Sequence, residues 1–157
     1  MKLLNNLVFQ KNIPMDGEVI SGAAYRGTKQ YTQQQVRTAA ATGFGAATDD
    51  YAERGIDLNE QLVRNKPATF FMRVRGDAMT GAGIFDGDVV IVDRSLKPAS
   101  GRVVIATLNG EMLIRRLERT LNRVRLIPET PRLAPIEVDP YAEFSVWGVV
   151  TYVIHAL

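Results

Sequence analysis

The sequence predicts a mostly β body preceded by an extended N-terminal arm. Two observations carry this reading. Between residues 69 and 155, short runs rich in β-branched and aromatic residues recur, with Gly, Pro, Asn and Asp between them and no helical period intervening. The first forty-odd residues are instead rich in Gln, Asn, Thr, Gly and Ala. At 157 residues, with 46% hydrophobic and 23% charged side chains, the chain has the size and composition of one compact domain with an arm attached.

In chain order, residues 1–48 form the arm. It contains the polar tract Thr28-Lys29-Gln30-Tyr31-Thr32-Gln33-Gln34-Gln35, then Ala39-Ala40-Ala41-Thr42-Gly43-Phe44-Gly45-Ala46-Ala47. Such a stretch buries little apolar surface by itself. Thr32 followed by Gln35 fits a capping box that would start a short helix ending before Gly43. The body spans residues 49–157. Asp57 to Asn65 reads as a short helix with an acidic start, apolar residues at 58, 62 and 63, and a stop before Pro67. Strands are expected over Thr69–Arg75, Asp88–Asp93, Arg102–Leu108, Glu111–Glu118, Asn122–Pro128 and Phe144–His155. Asn109-Gly110 between apolar runs is a strong two-residue hairpin signal, and Thr120-Leu121-Asn122 is a second turn.

Composition excludes several chemistries. The absence of cysteine rules out disulfides, thiolate metal sites and cysteine nucleophiles. A single histidine, His155, is too few for a His-based zinc site or a Ser-His triad, so neither metal nor cofactor is expected. Gly81, Gly83 and Gly87 have the wrong spacing for a dinucleotide loop and run into a strand where that fingerprint would open a helix. Asp86 and Asp88 flank Gly87, where aspartate bonds the local backbone, so a turn is expected there and not a catalytic pair. No apolar run approaches the roughly 18 residues of a membrane span, and the N-terminus lacks the apolar stretch of a signal peptide, so a cytoplasmic location is expected. The net charge is +2, but residues 1–43 hold five basic and two acidic side chains whereas the rest holds fourteen and fifteen. Arg115, Arg116, Arg119, Arg123 and Arg125 are the one basic cluster suited to nucleic acid. No aromatic residue lies among them to stack a base, so a solvated face is expected, without direct DNA binding.

The block from Arg73 to Asp93, containing Gly76-Asp77-Ala78-Met79 and Asp86-Gly87-Asp88, resembles the signature of the LexA/UmuD family of self-cleaving serine-lysine proteins. Ile56-Asp57-Leu58-Asn59, Gly110-Glu111, Val124-Arg125-Leu126-Ile127-Pro128 and Val146-Trp147-Gly148-Val149-Val150 extend the resemblance, most closely to its UmuD branch, over about residues 39–157. The resemblance implies a LexA/signal-peptidase-like β body. It places the family's nucleophilic serine on Ala78, with Gly76, Asp77 and Met79 setting the register. Its general-base lysine falls on Arg115, 37 residues further on, as in the family's dyad. Strand alternation puts Arg115 on one face with Leu113 and Leu117, and Arg116 on the other with Ile114. The family's scissile bond, a small residue followed by glycine, falls on Thr42-Gly43.

Both catalytic positions depart from the family. A Ser-Lys dyad needs a hydroxyl to attack the peptide carbonyl and a neutral amine to accept its proton. Alanine has no attacking atom, and a guanidinium stays protonated at any working pH. The chain as written is therefore expected not to cleave itself. The resemblance implies a homodimeric SOS-response accessory subunit of a Y-family (UmuC-like) translesion polymerase, which engages RecA filaments on single-stranded DNA. It also implies oxyanion donors among the backbone N–H groups around residue 78. Two alternatives stand beside it: a LexA- or phage-type repressor C-terminal domain, for which residues 1–42 are too short and polar to build a helix-turn-helix unit, and a non-catalytic β interaction module of the same fold.

Overall fold

In the computed structural model, which describes residues 19–25 and 57–157, the β-branched runs become strands of one antiparallel sheet. They are β1 (Val19–Ala24), β2 (Thr69–Val74), β3 (Val89–Asp93), β4 (Val103–Leu108), β5 (Glu111–Arg119), β6 (Val124–Ile127), β7 (Ile136–Glu137) and β8 (Phe144–Ile154). The capping box at Thr32 and the Thr42-Gly43 bond lie outside the described residues.

Local chemistry accounts for the tight connections. Asn109 and Gly110 both take positive φ, 49° and 86°, the geometry that matches the twist of two flanking strands, and Leu108 pairs with Glu111 across them. Thr120 N–H donates to the Arg123 carbonyl at 2.9 Å and closes the β5–β6 turn, so β6 starts at Val124, two residues later than the sequence predicts. The short helix α1 (Leu58–Leu62) has Asp57 as its cap, whose carboxylate accepts from Asn59 N–H at 2.8 Å. Leu58 of this helix is exposed, while Val63, which ends it, is buried.

The strand order is β1-β2-β3-β8-β4-β5-β6-β7, so the last strand lies in the middle of the sheet, between β3 and β4. Two bulges let β8 serve both neighbours: pairing skips Thr151 against β3 and Trp147 against β4. Thr151 Oγ1 donates to the Ile91 carbonyl at 3.1 Å, which ties the first bulge to β3. Two strands were not expected. β7 is a two-residue strand on β6, and β1 arises inside the polar N-terminal segment, where it pairs with β2 from Val19↔Val74 to Ala24↔Phe70.

The two faces of the sheet bury separate cores. Met72, Val90, Val92, Met112 and Ile114 pack on one side, together with Ala78 and Met79 from the β2–β3 connection. Val104, Leu113, Leu117, Leu126 and Val149 pack on the other. β5 thus buries apolar residues on both faces, Met112 and Ile114 on one and Leu113 and Leu117 on the other, and Met112, Ile114 and Leu117 are each almost fully buried.

Candidate functional site

The connection between β2 and β3 is built by its glycines and aspartates. Gly76 has φ of 87°, and its N–H donates to Asp86 Oδ1 at 2.7 Å. Gly87, with φ of 85°, donates to the Val74 carbonyl at 2.9 Å, and Asp88 Oδ2 accepts from Phe85 N–H at 2.8 Å. Asp88 bonds the backbone of its own turn, as expected, whereas Asp86 reaches Gly76, ten residues away at the start of the connection. Asp88 is buried, and its other oxygen lies 2.6 Å from Nδ1 of His155, so the one histidine ties the end of β8 to this turn.

Ala78 lies within this connection, two residues after Gly76, and is buried, 4% exposed. Its carbonyl accepts from Glu129 N–H at 2.8 Å, and Gly81 N–H donates to the Glu129 carbonyl at 2.7 Å. A Cβ on Gly81 would stand 2.7 Å from that same oxygen, so this close approach requires glycine. Met79 is buried beside Ala78, and Asp77 is ion-paired with Arg132. Glu129 then reaches β5: its Oε1 accepts from Arg116 Nε at 2.5 Å, and Arg116 Nη1 donates to the Gly101 carbonyl at 2.6 Å.

Arg115 is buried in the middle of β5, 5% exposed, opposite Val104 and on the face of Leu113 and Leu117. Its Nη1 donates to the Ile114 carbonyl at 2.8 Å. Ala78 belongs to the buried apolar cluster that also holds Met112 and Ile114 of this strand. Glu129, bonded to both Ala78 and Arg116, ties residue 78 to β5. Glu129 and Arg132, which hold the turn that carries Ala78, carry no signal in the sequence: neither belongs to a periodic pattern or a motif.

The arginine cluster dissolves in the fold. Arg115 is buried, Arg116 is bonded to Glu129, Arg123 Nε lies 3.1 Å from Glu137, and Arg125 Nη1 lies 2.9 Å from Glu118. Among the described residues, Arg116, Arg123 and Arg125 each sit beside a carboxylate and Arg115 lies inside, which removes the patch as a phosphate-binding surface. Among the described residues, no group of three or more His, Asp or Glu side chains is placed to hold a metal ion. No helix among them is long and apolar enough to cross a membrane.

The family model described as Peptidase S24-like matches residues 34–151, which span the Ala78 turn, β5 and the Glu129 contact. The chain belongs to this peptidase S24-like family, that of LexA and UmuD. Among S24 relatives, it is similar to Protein ImpA of Salmonella typhimurium, 36% identical over 135 residues that cover 82% of this chain and 88% of the relative. Protein SamA of Salmonella typhimurium is 38% identical over 72% of this chain and 78% of its own length. LexA repressor 1 of Xanthomonas campestris pv. campestris is 39% identical over 72% of this chain but 55% of the repressor. The mostly β sheet agrees with the S24 fold that the sequence implies.

Proposed function

We propose that this S24 chain is a UmuD-like regulatory subunit of a translesion polymerase whose self-cleavage site is silent. The observation that carries the reading is the buried alanine at residue 78. The turn that presents the family's nucleophile is held in place by Gly76, Asp77, Gly81 and Glu129, yet it presents a methyl group. Arg115, at the position of the base, carries a guanidinium bonded to the Ile114 carbonyl, which accepts no proton from a hydroxyl. Thr42-Gly43 is the bond that an active version would cut, with backbone N–H groups around residue 78 as its oxyanion donors.

Similarity to ImpA and SamA over most of their lengths supports the UmuD-like branch. In this reading the chain is a cytoplasmic homodimer that engages RecA filaments and a Y-family polymerase. The homodimer is supported by β8, which pairs with β4 only as far as Val149 and continues on β3 to Ile154, with Tyr152, Val153 and Ile154 exposed.

The test compares the intact mass of this chain with that of the Ala78→Ser/Arg115→Lys variant, each incubated with RecA filaments and ATP. The reading expects the variant to split between residues 42 and 43 while this chain stays at 17.4 kDa. If neither is cut, the dyad or scissile-bond assignment is wrong, and the non-catalytic interaction module takes its place.

A further inference from the structure

The edge of the sheet at β2 is built like an interior position. Natural edge strands carry lysine, proline, bulges or very short pairings that discourage a further strand from adding. The opposite edge follows that rule, since β7 is two residues long and its Glu137 pairs with Arg123. β2 reads Thr69-Phe70-Phe71-Met72-Arg73-Val74, with no proline or lysine, and its single charge donates to the Gly87 carbonyl at 2.8 Å. Without β1, a six-residue strand with four apolar residues would present open N–H and C=O groups.

β1 covers that edge. It pairs with β2 alone, and Tyr25 extends the contact: its N–H donates to the Thr69 carbonyl at 2.9 Å, and its ring centre lies 5.9 Å from that of Phe71. Gly22 and Ala23, opposite Met72 and Phe71, are both buried. Successive strand residues point to opposite faces, so each face has a small residue in a covered position here, where a larger side chain would have to be accommodated. β1 is joined to the rest of the described body only through residues 26–56, which include Thr42-Gly43.

We propose that the β2 edge is a strand-acceptor site that the intact chain keeps filled with its own Val19–Tyr25 and that opens when the chain is severed between residues 26 and 56. Its ligand is an extended segment with two consecutive small residues followed, two positions on, by an aromatic ring, as in Gly22-Ala23-Ala24-Tyr25. Severing acts through concentration. A tethered strand is present at an effective concentration of about 1 mM, so cutting the tether at ~1 µM protein lowers the ratio of filled to open edges by roughly 10³. That such a cut occurs in nature rests on the reading of Thr42-Gly43 above; the acceptor edge itself does not.

The experiment places the recognition site of a sequence-specific protease between residues 30 and 36 of the full chain, so it is independent of any self-cleavage. Hydrogen exchange of the β2 amides and gel filtration at about 1 µM are read before and after the cut, and a synthetic peptide of residues 17–26 is then added at about 1 mM. The expected result is loss of the N-terminal fragment and at least a roughly tenfold faster exchange confined to β2. The peptide restores protection, and the same peptide carrying Gly22→Val and Ala23→Leu does not. Four results overturn the proposal: unchanged β2 exchange after the fragment has left, a fragment that still co-elutes, loss of near-UV dichroism on cutting, or no restoration by the peptide. An Ala78→Ser/Arg115→Lys variant that fails to cleave itself leaves all of these outcomes in place.

Discussion

Gly81→Ala tests how the turn that carries Ala78 is held. Gly81 is not among the residues with positive φ, so its backbone suits alanine, and the substitution gains about 0.4–1 kcal/mol through the unfolded chain. Against this, the new Cβ would stand 2.7 Å from the Glu129 carbonyl oxygen, where ordinary contact begins at 3.4 Å. Glu129 has little freedom to retreat, because its N–H is bonded to Ala78 and its carboxylate to Arg116. Relief requires the two segments to part by about 0.7 Å, which disrupts the Gly81 N–H bond to Glu129 and costs about 0.5–1.5 kcal/mol, beside about 1–3 kcal/mol of overpacking. The net expectation is a loss of about 1–3 kcal/mol, or a fall in Tm of about 3–10 °C for a domain of this size, read by circular dichroism. Gly83→Ala is the control: with φ of 76° and no atom within 4 Å of a Cβ, it suffers only the left-handed conformation, about 1 kcal/mol. A Tm within about 1 °C of the parent for Gly81→Ala, or a larger loss for Gly83→Ala, would refute the argument that the Glu129 contact is close and rigid.

Two further substitutions probe the sheet. At Gly148 an added Cβ would lie 2.5 Å from Val92 Cγ1, and Val92 is fully buried, so Gly148→Ala should destabilise by about 1–3 kcal/mol in urea titration. Adding Val92→Ala should recover part of that loss, with a coupling of at least about 0.5 kcal/mol; strict additivity would show that the two sites do not meet. His155→Ala removes the partner of the buried Asp88 carboxylate and leaves it the Phe85 N–H, which should cost about 1–2 kcal/mol because the imidazole is half exposed. The same change in an Asp88→Asn background should cost much less, and an equal loss in both would place the effect elsewhere.

Where structure depends on neighbours in the chain, it was legible. Asn109-Gly110 predicted a two-residue hairpin because both residues tolerate the positive φ that such a turn needs, and both adopt it. Asp88 bonds the backbone beside Gly87, as its place in the turn predicted, because a short carboxylate reaches its near neighbours, whereas the bond of Asp86 to Gly76 ten residues away depends on how the connection folds back. Both faces of β5 carry apolar residues, so alternation alone did not choose between Arg115 and Arg116, and both faces are buried in the fold. β1 was missed because its two β-branched residues, Val19 and Ile20, are followed by Ser21-Gly22-Ala23-Ala24, which has none; those four residues are strand by virtue of the edge they cover.

The sequence by itself determined the β class, the Asn109-Gly110 hairpin and the S24 family, all of which reside in residue identity and short spacing. Tertiary structure alone decided that β8 lies between β3 and β4, that the arginine cluster is divided among glutamates, and that Ala78 is anchored on Glu129 from 51 residues away. Those pairings are chosen by which distant surfaces can be buried together and which polar groups must then be satisfied, and neither condition leaves a mark on the local pattern of residues.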